Sequence, residues 1–286
     1  MKNIFARIAL ASILVSNLAL AETFSTLEQV KNNEVIRIGY RESKPPMSFL
    51  DKNNQPVGYS IELCAQIVNG IKSELKNPNI ATKYVPVTAS TRFDALANNS
   101  IDILCGATTK TLARAEIVDF TQLTFATGAS LLSLAASGID TIPELQDGKV
   151  AVVKNTTTID SLKKAIQQVD GNATIVPVDS AAEGIKAVVS GEVNAFSSDQ
   201  IVLIGLALTH ENPEQFVISE GVFSFEPFAL AVRKNDAEFR LIADRVLSRL
   251  NRSGNITPIY LNWFGGYIKE VPPLLEAMFI LNSTPE

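Results

Sequence analysis

The sequence is poor in the residues on which most enzyme and metal chemistry depends. It holds one histidine, His210, and two cysteines, Cys64 and Cys105, among 286 residues. A Ser-His-Asp hydrolase would have to rest on that one histidine, which stands in the polar stretch THENPE, so nucleophilic hydrolysis is disfavoured. The cysteine spacing suits no metal site, and no metal or cofactor is expected. Neither a P-loop nor a dinucleotide-binding glycine fingerprint occurs. Basic residues are outnumbered, 25 Lys and Arg against 30 Asp and Glu, which argues against nucleic acid and anionic membranes as partners. No repeat or low-complexity tract interrupts the chain.

Long apolar runs are also lacking, with one short exception at the start. Lys2 and Arg7 precede the apolar stretch Ile8 to Leu20, which ends in the small-x-small triplet Ala19-Leu20-Ala21. This is the pattern of a secretory signal peptide cut after Ala21, and the run falls short of the ~20 apolar residues a membrane-spanning helix needs. No cysteine at the cut site offers a place for lipid. Cleavage takes two positive charges from a formal net charge of −5, leaving −7 on an exported chain of about 265 residues, enough for two modest domains. In an oxidising compartment Cys64 and Cys105 can pair. Each also lies in an apolar context, IELCAQIV and DILCG, where a buried free thiol is equally at home.

What is there is an alternation of strands and helices. VIRIGY (35–40) reads as a buried strand, 61–75 as a helix with Ile61, Ala65, Val68 and Ile71 on one face, TKYVPV (82–87) as a strand, a helix through Leu96 follows, and IDILCG is a third strand. A second series begins at KVAVVK (149–154) and runs through a helix opening at 155–158, the strand ATIVPV, the helix AAEGIKAVVSG and the strand VNAFSSD. The order predicts two α/β units, each a mainly parallel sheet flanked by helices. FEPFALAVRKN and the amphipathic helix 238–250 come after the second unit is complete, so the C-terminal stretch is expected to pack back on the first. That arrangement requires two adjacent crossovers, near 125–129 and 223–228. The expected organisation is a signal peptide (1–21), a first lobe from 22–125 and 228–286, and a second lobe from 126–227.

In open α/β sheets ligands sit beyond the carboxyl ends of the strands, here in a cleft between the lobes. The turn GATTKT (106–111) lies just past IDILC, with threonine hydroxyls and backbone N–H groups as donors for an anion and Arg114 as a bidentate clamp for a carboxylate. The same residues also read as a helix cap followed by an arginine on a solvated face.

GYRESKPPMSFLDKNNQPVGYSIEL, DILCGATTKTLARAEIVDFT, SGEVNAFSSDQ and SGNITPIYLNWFGG, in this order, together resemble the extracellular solute-binding proteins of polar amino acid ABC transporters, most closely the glutamate/aspartate-binding group. The resemblance implies a hinge-bending, monomeric periplasmic protein that delivers an amino acid to a membrane permease, without catalysis. It implies that the turn at Ala107 and Thr109 offers a backbone carbonyl to the ligand's ammonium and donors to its α-carboxylate, that the guanidinium of Arg114 binds that carboxylate, that the helix N-terminus at Thr157 and Thr158 adds donors, and that Asp199 takes the α-ammonium. Arg41 and Arg92 match arginines placed near a second carboxylate, which favours glutamate or aspartate. In the plain reading Arg92 braces its own helix and Arg41 pairs with Glu42 or Glu62. The chain departs from the family pattern at Lys44, where many members stack an aromatic ring, at Met47, at Ala181, where the closest group has a histidine, and at Ala89, which replaces a small hydroxyl residue. Other polar amino acids and organic acids therefore stay open. A lyase on the same scaffold, resembling cyclohexadienyl dehydratase, would need a proton-shuttling carboxylate, for which Glu226 and Glu62 are the candidates by elimination.

Overall fold

A computed structural model describes residues 25–286; the expected signal peptide and its cleavage site lie outside the described residues. The chain opens with helix α1 (Thr26–Asn33) and strand β1 (Val35–Tyr40), then a small ribbon of β2 (Ser43–Lys44), β3 (Ser48–Leu50) and β4 (Pro56–Val57). Next come α2 (Tyr59–Glu74), β5 (Ala81–Pro86), α3 (Arg92–Ala97), β6 (Ile103–Cys105), α4 (Leu112–Ala115) and the long β7 (Val118–Thr127). The second series is β8 (Ala129–Leu134), β9 (Lys149–Val153), α5 (Thr157–Gln168), β10 (Thr174–Val178), α6 (Ala181–Val189), β11 (Ala195–Asp199), α7 (Gln200–Thr209) and β12 (Phe216–Ile218). The chain ends with β13 (Glu226–Arg233), α8 (Ala237–Arg252), α9 (Ile256–Phe264) and α10 (Pro273–Leu281).

Two five-stranded sheets organise these elements, in the orders β5-β1-β6-β13-β7 and β10-β9-β11-β8-β12. β1, β5 and β6 pair in parallel, as do β9, β10 and β11. Their apolar runs are buried; in KVAVV every residue after Lys149 is inaccessible, as expected for strands covered on both faces. The other half of each sheet is antiparallel: β13 inserts between β6 and β7, and β8 lies between β11 and β12. Each sheet is thus mixed, with two parallel and two antiparallel pairings, where strand order in the sequence suggests a mainly parallel one. The difference comes from β13 and β8, each of which runs antiparallel to both of its neighbours; β8 follows β7 in the sequence with only Gly128 between them.

The C-terminal return is carried by packing as well as pairing. Asp236 caps α8, accepting from the Phe239 N–H at 3.3 Å, and the helix buries Phe239, Ile242, Ala243, Val246 and Leu247 at the i, i+3, i+4 spacing of one apolar face. That face shares a cluster with Ile67, Val68 and Ile71 of α2. Cys64 of α2 and Cys105 at the end of β6 form a disulfide, with Cα atoms 6.4 Å apart. A bridge across 41 residues of sequence removes chain entropy from the unfolded state worth on the order of 3–4 kcal/mol.

The two sheets are linked where β7 runs into β8 and where the chain re-enters β13. Thr127 lies opposite Glu226, the Phe223 N–H donates to the Ala129 carbonyl at 2.9 Å, and the Ala129 N–H donates to Ser224 Oγ at 2.9 Å. The connections touch so closely that a Cβ on Gly128 would lie 2.3 Å from the Ser224 carbonyl oxygen. Further out the lobes also meet: a Cβ on Gly205 of α7 would fall 2.4 Å from the Pro45 carbonyl oxygen. The carboxyl ends of β1, β5, β6, β9 and β11 lead into the segments that line the junction.

Candidate functional site

Arg41 follows β1 directly and is 6% exposed. Its backbone is held by Ser48, whose Oγ accepts from the Arg41 N–H at 2.9 Å. Its side chain runs past Gly106, where an added Cβ would come within 3.1 Å of Arg41 Cγ, so the turn after β6 packs closely against the arginine stem. Arg92 opens α3 and is 3% exposed. One of its NH groups donates to the Ala89 carbonyl and the other crosses to the Asn155 carbonyl of the second lobe at 3.2 Å, while Nε is buried without a partner. Arg92 therefore does brace the entry to its own helix, and it also bridges the lobes. Arg41 makes no ion pair with Glu42 or Glu62; Glu62 instead accepts from Trp263 Nε1.

Arg114 lies on α4. Thr111 caps that short helix, accepting from the Arg114 N–H at 3.1 Å, and the guanidinium folds back to donate to the Thr109 carbonyl at 2.8 Å. Both readings of the turn are thus partly realised, since Thr111 caps while Arg114 is drawn to the cleft. The Phe93 ring lies 4.4 Å from the Arg92 guanidinium carbon and 5.5 Å from that of Arg114, and its π-face offsets some of the repulsion between them. Ala107 is half-buried within the same turn, and Thr109 is 5% exposed.

The second lobe faces these groups with Asp199, the last residue of β11, 7% exposed, whose Oδ1 is buried without a hydrogen-bond partner. The N-terminus of α5 is beside it, with Thr157 and Thr158 as its first residues and no side-chain cap from Thr156. The leading N–H groups of a 12-residue helix are therefore free for an anion. Thr157 Oγ1 donates at 2.8 Å to Glu226 Oε2, the same oxygen that takes Thr109 Oγ1 at 2.6 Å, and Ser224 Oγ donates to Oε1 at 2.8 Å. Glu226, from the crossover strand, so joins one threonine from each lobe.

A fourth cation belongs to this cluster. Lys44 is 3% exposed, and its Nζ reaches across to Ser198 Oγ at 2.9 Å. Burial pushes the Lys44 ammonium down to about 8 and the Arg41 guanidinium to about 10. Arg92 falls to about 9 through burial and the nearby charges of Arg114 and Arg41. Asp199 rises to about 6 because burial outweighs the opposing charges, of which that of Lys44 is the largest. Four cationic side chains face two carboxylates, and none of the six is in an ion pair among the described residues. Closed off from water, such a surplus of positive charge is costly unless an anion enters.

All eight sequence-predicted positions, Arg41, Arg92, Ala107, Thr109, Arg114, Thr157, Thr158 and Asp199, lie on segments leading out of strand ends at the junction. Sequence reasoning gave Lys44 no role of its own and treated Glu226 only as a possible acid. Neither has a local signal, because their roles appear only when the lobes meet. Ala89 and Ala181 share an apolar cluster with Phe196 and Leu203, so these two departures from the family pattern lie in dry packing, unlike Lys44.

Residues 36–266 match the family described as bacterial extracellular solute-binding proteins, family 3. The L-glutamate/L-aspartate-binding protein of Pseudomonas aeruginosa is 30% identical over 264 residues, covering 92% of this chain and 86% of that one. Among solved structures, the solute receptor for L-cysteine of Neisseria gonorrhoeae superposes with a TM-score of 0.75 at 25% identity, covering 87% of this chain and 97% of the other. An ancestral amino acid-binding protein, a precursor of cyclohexadienyl dehydratase, does so at 0.71 and 27%, covering 84% and 99%.

Proposed function

This chain belongs to family 3 of the bacterial extracellular solute-binding proteins, and from that premise we propose that it captures an acidic amino acid, glutamate or aspartate, between its lobes and delivers it to the permease of an ABC transporter. The observation that carries the reading is the set of buried, unpaired cations facing an Asp199 oxygen that lacks a donor. Arg114, the turn at Ala107 and Thr109, and the free N–H groups at Thr157 and Thr158 receive the α-carboxylate. Asp199 accepts the α-ammonium. Arg41 and Arg92 receive the side-chain carboxylate, which a neutral amide cannot replace without leaving a guanidinium unpaired.

The lobe boundaries (22–125 with 228–286, and 126–227), export through a signal peptide cut after Ala21, action in the periplasm and a monomeric state belong to the same proposal. Transport is favoured over lyase chemistry by the state of Glu226. Its two oxygens already accept three hydroxyl hydrogen bonds from the chain's own residues, which engage it inside the protein and leave it poorly placed to exchange a proton with a substrate. Thermal shift of the mature protein with glutamate, aspartate, glutamine and arginine tests the assignment. A ligand at ~100 times its Kd stabilises by about 2.7 kcal/mol. Stabilisation by the two acids above the two others is expected; a shift with glutamine or arginine alone, or turnover of prephenate, overturns it.

A further inference from the structure

The charge of the cleft does not balance with an amino acid inside it. Arg41, Lys44, Arg92 and Arg114 supply four positive charges against Asp199 and Glu226, a surplus of two. Glutamate, with two carboxylates and one ammonium, brings a single net negative charge and leaves one buried cation uncompensated. A dicarboxylate without an ammonium brings two and leaves none. Geometry singles out Lys44 as the extra cation. It is 3% exposed, its Nζ bonds Ser198 across the lobes at 2.9 Å, and Ser198 immediately precedes Asp199 on β11. The lysine stem lets the ammonium turn from that hydroxyl toward the neighbouring carboxylate, whose Oδ1 has no donor in the chain.

We propose that the cleft also takes a five-carbon dicarboxylate dianion with no amino group, the Lys44 ammonium supplying the positive charge opposite Asp199 that an amino acid would bring itself. The proposal rests on the reading of Arg114 on one carboxylate and Arg41 with Arg92 on the other. It adds that the ammonium of the ligand is dispensable and that Lys44 sets the preference.

Glutarate and glutamate differ only in the α-ammonium, so the pair isolates this point. Calorimetry at pH 7.5 on the mature wild type is expected to show glutarate binding with a Kd within about tenfold of that for glutamate. Lys44→Met, which leaves the cluster balanced for glutamate and one charge short for glutarate, is expected to move the ratio of the two Kd values by about tenfold or more toward glutamate. Lys44→Arg, which keeps the charge, is expected to retain the wild-type ratio. Glutamate binding without detectable glutarate binding in the wild type overturns this proposal and leaves the acidic amino acid reading standing. An unchanged ratio in Lys44→Met overturns it as well, and binding of neither ligand overturns both. The wild-type titrations decide the first point even where a variant fails to fold.

Discussion

Two clusters of buried charge in this molecule use the same residue types and differ in one respect. Around Asp102, which is wholly buried, the carboxylate is paired directly with arginines of the chain. Oδ2 accepts from the Arg37 N–H at 2.7 Å and from Arg37 Nε at 3.0 Å, and Oδ1 accepts from Arg37 NH2 at 2.6 Å and Arg233 NH2 at 3.4 Å. That pairing ties β1 and β13 to the residue just before β6, so it fastens the sheet. In the interlobe cleft, Arg41 and Arg92 are buried and Arg114 is half-buried, and none of the three forms an ion pair with a carboxylate of the chain among the described residues. An arginine answered internally holds a fold together; one left unanswered in a dry cleft marks where an anion from outside is expected.

The contrast can be broken by removing one member on each side. Asp102→Ala is expected to have the largest effect, a loss of about 3–5 kcal/mol in unfolding free energy, because it strands two guanidinium groups. Denaturant unfolding measures it, and a loss under 1 kcal/mol would show that the pairing is incidental. Arg114→Ala is expected to leave stability unchanged or slightly improved while weakening every α-amino acid ligand by about 2–5 kcal/mol; a folded variant with wild-type affinity would displace the site. Arg92→Ala sharpens the comparison within the cleft. It is expected to erase a preference for glutamate over glutamine of about 1.5–3 kcal/mol, ten- to a hundredfold in Kd, and an unaltered ratio by calorimetry would make Arg92 only a brace for α3.

The smallest effect is a titration. Asp199 is pushed up to about 6 from an ordinary value near 4. An acid whose pKa is raised by folding destabilises the free protein above its folded value, and that penalty disappears as pH falls through 6 toward 4. Glutamate needs the ionised form opposite its ammonium, so lowering the pH from 7.5 to 5 is expected to weaken glutamate about tenfold while the free protein gains stability. Affinity that holds constant across this range would mean that Asp199 does not meet the ammonium.

How much could be read from the sequence follows the same division between local and assembled features. β1, α2, β9, β10, α6 and β11 were legible because their apolar spacing is set by one element at a time. β7 and β8 were not, since VDFTQLTFATGASLLSL carries no period and its single glycine gives little hint of a change of sheet. The ribbon β2 to β4, with strands of two or three residues, has too little length for any pattern. In the candidate site, Arg114 and Asp199 stand out by position just beyond strand ends, and the family resemblance adds roles for Arg41 and Arg92. The contacts of Lys44 and Glu226 have no local signal, because Lys44 meets Ser198 of the other lobe and Glu226 joins a threonine from each. The cysteines were undecided for a similar reason, as apolar flanks suit a thiol and a disulfide equally until the two Cα atoms are brought together.

The contact between the two crossovers at Gly128 and Ser224 has a mechanical consequence. A single peptide link between bodies permits swivel, twist and bend alike, whereas two links lying side by side resist the first two and leave one compliant axis. Motion of one lobe against the other is thereby reduced to a single coordinate. Every approach brings Asn155 to Arg92, Ser198 to Lys44 and Gly205 to Pro45 in the same register. A partner at the membrane that senses only the separation of the lobe rims would then learn whether the cleft is filled without touching what fills it.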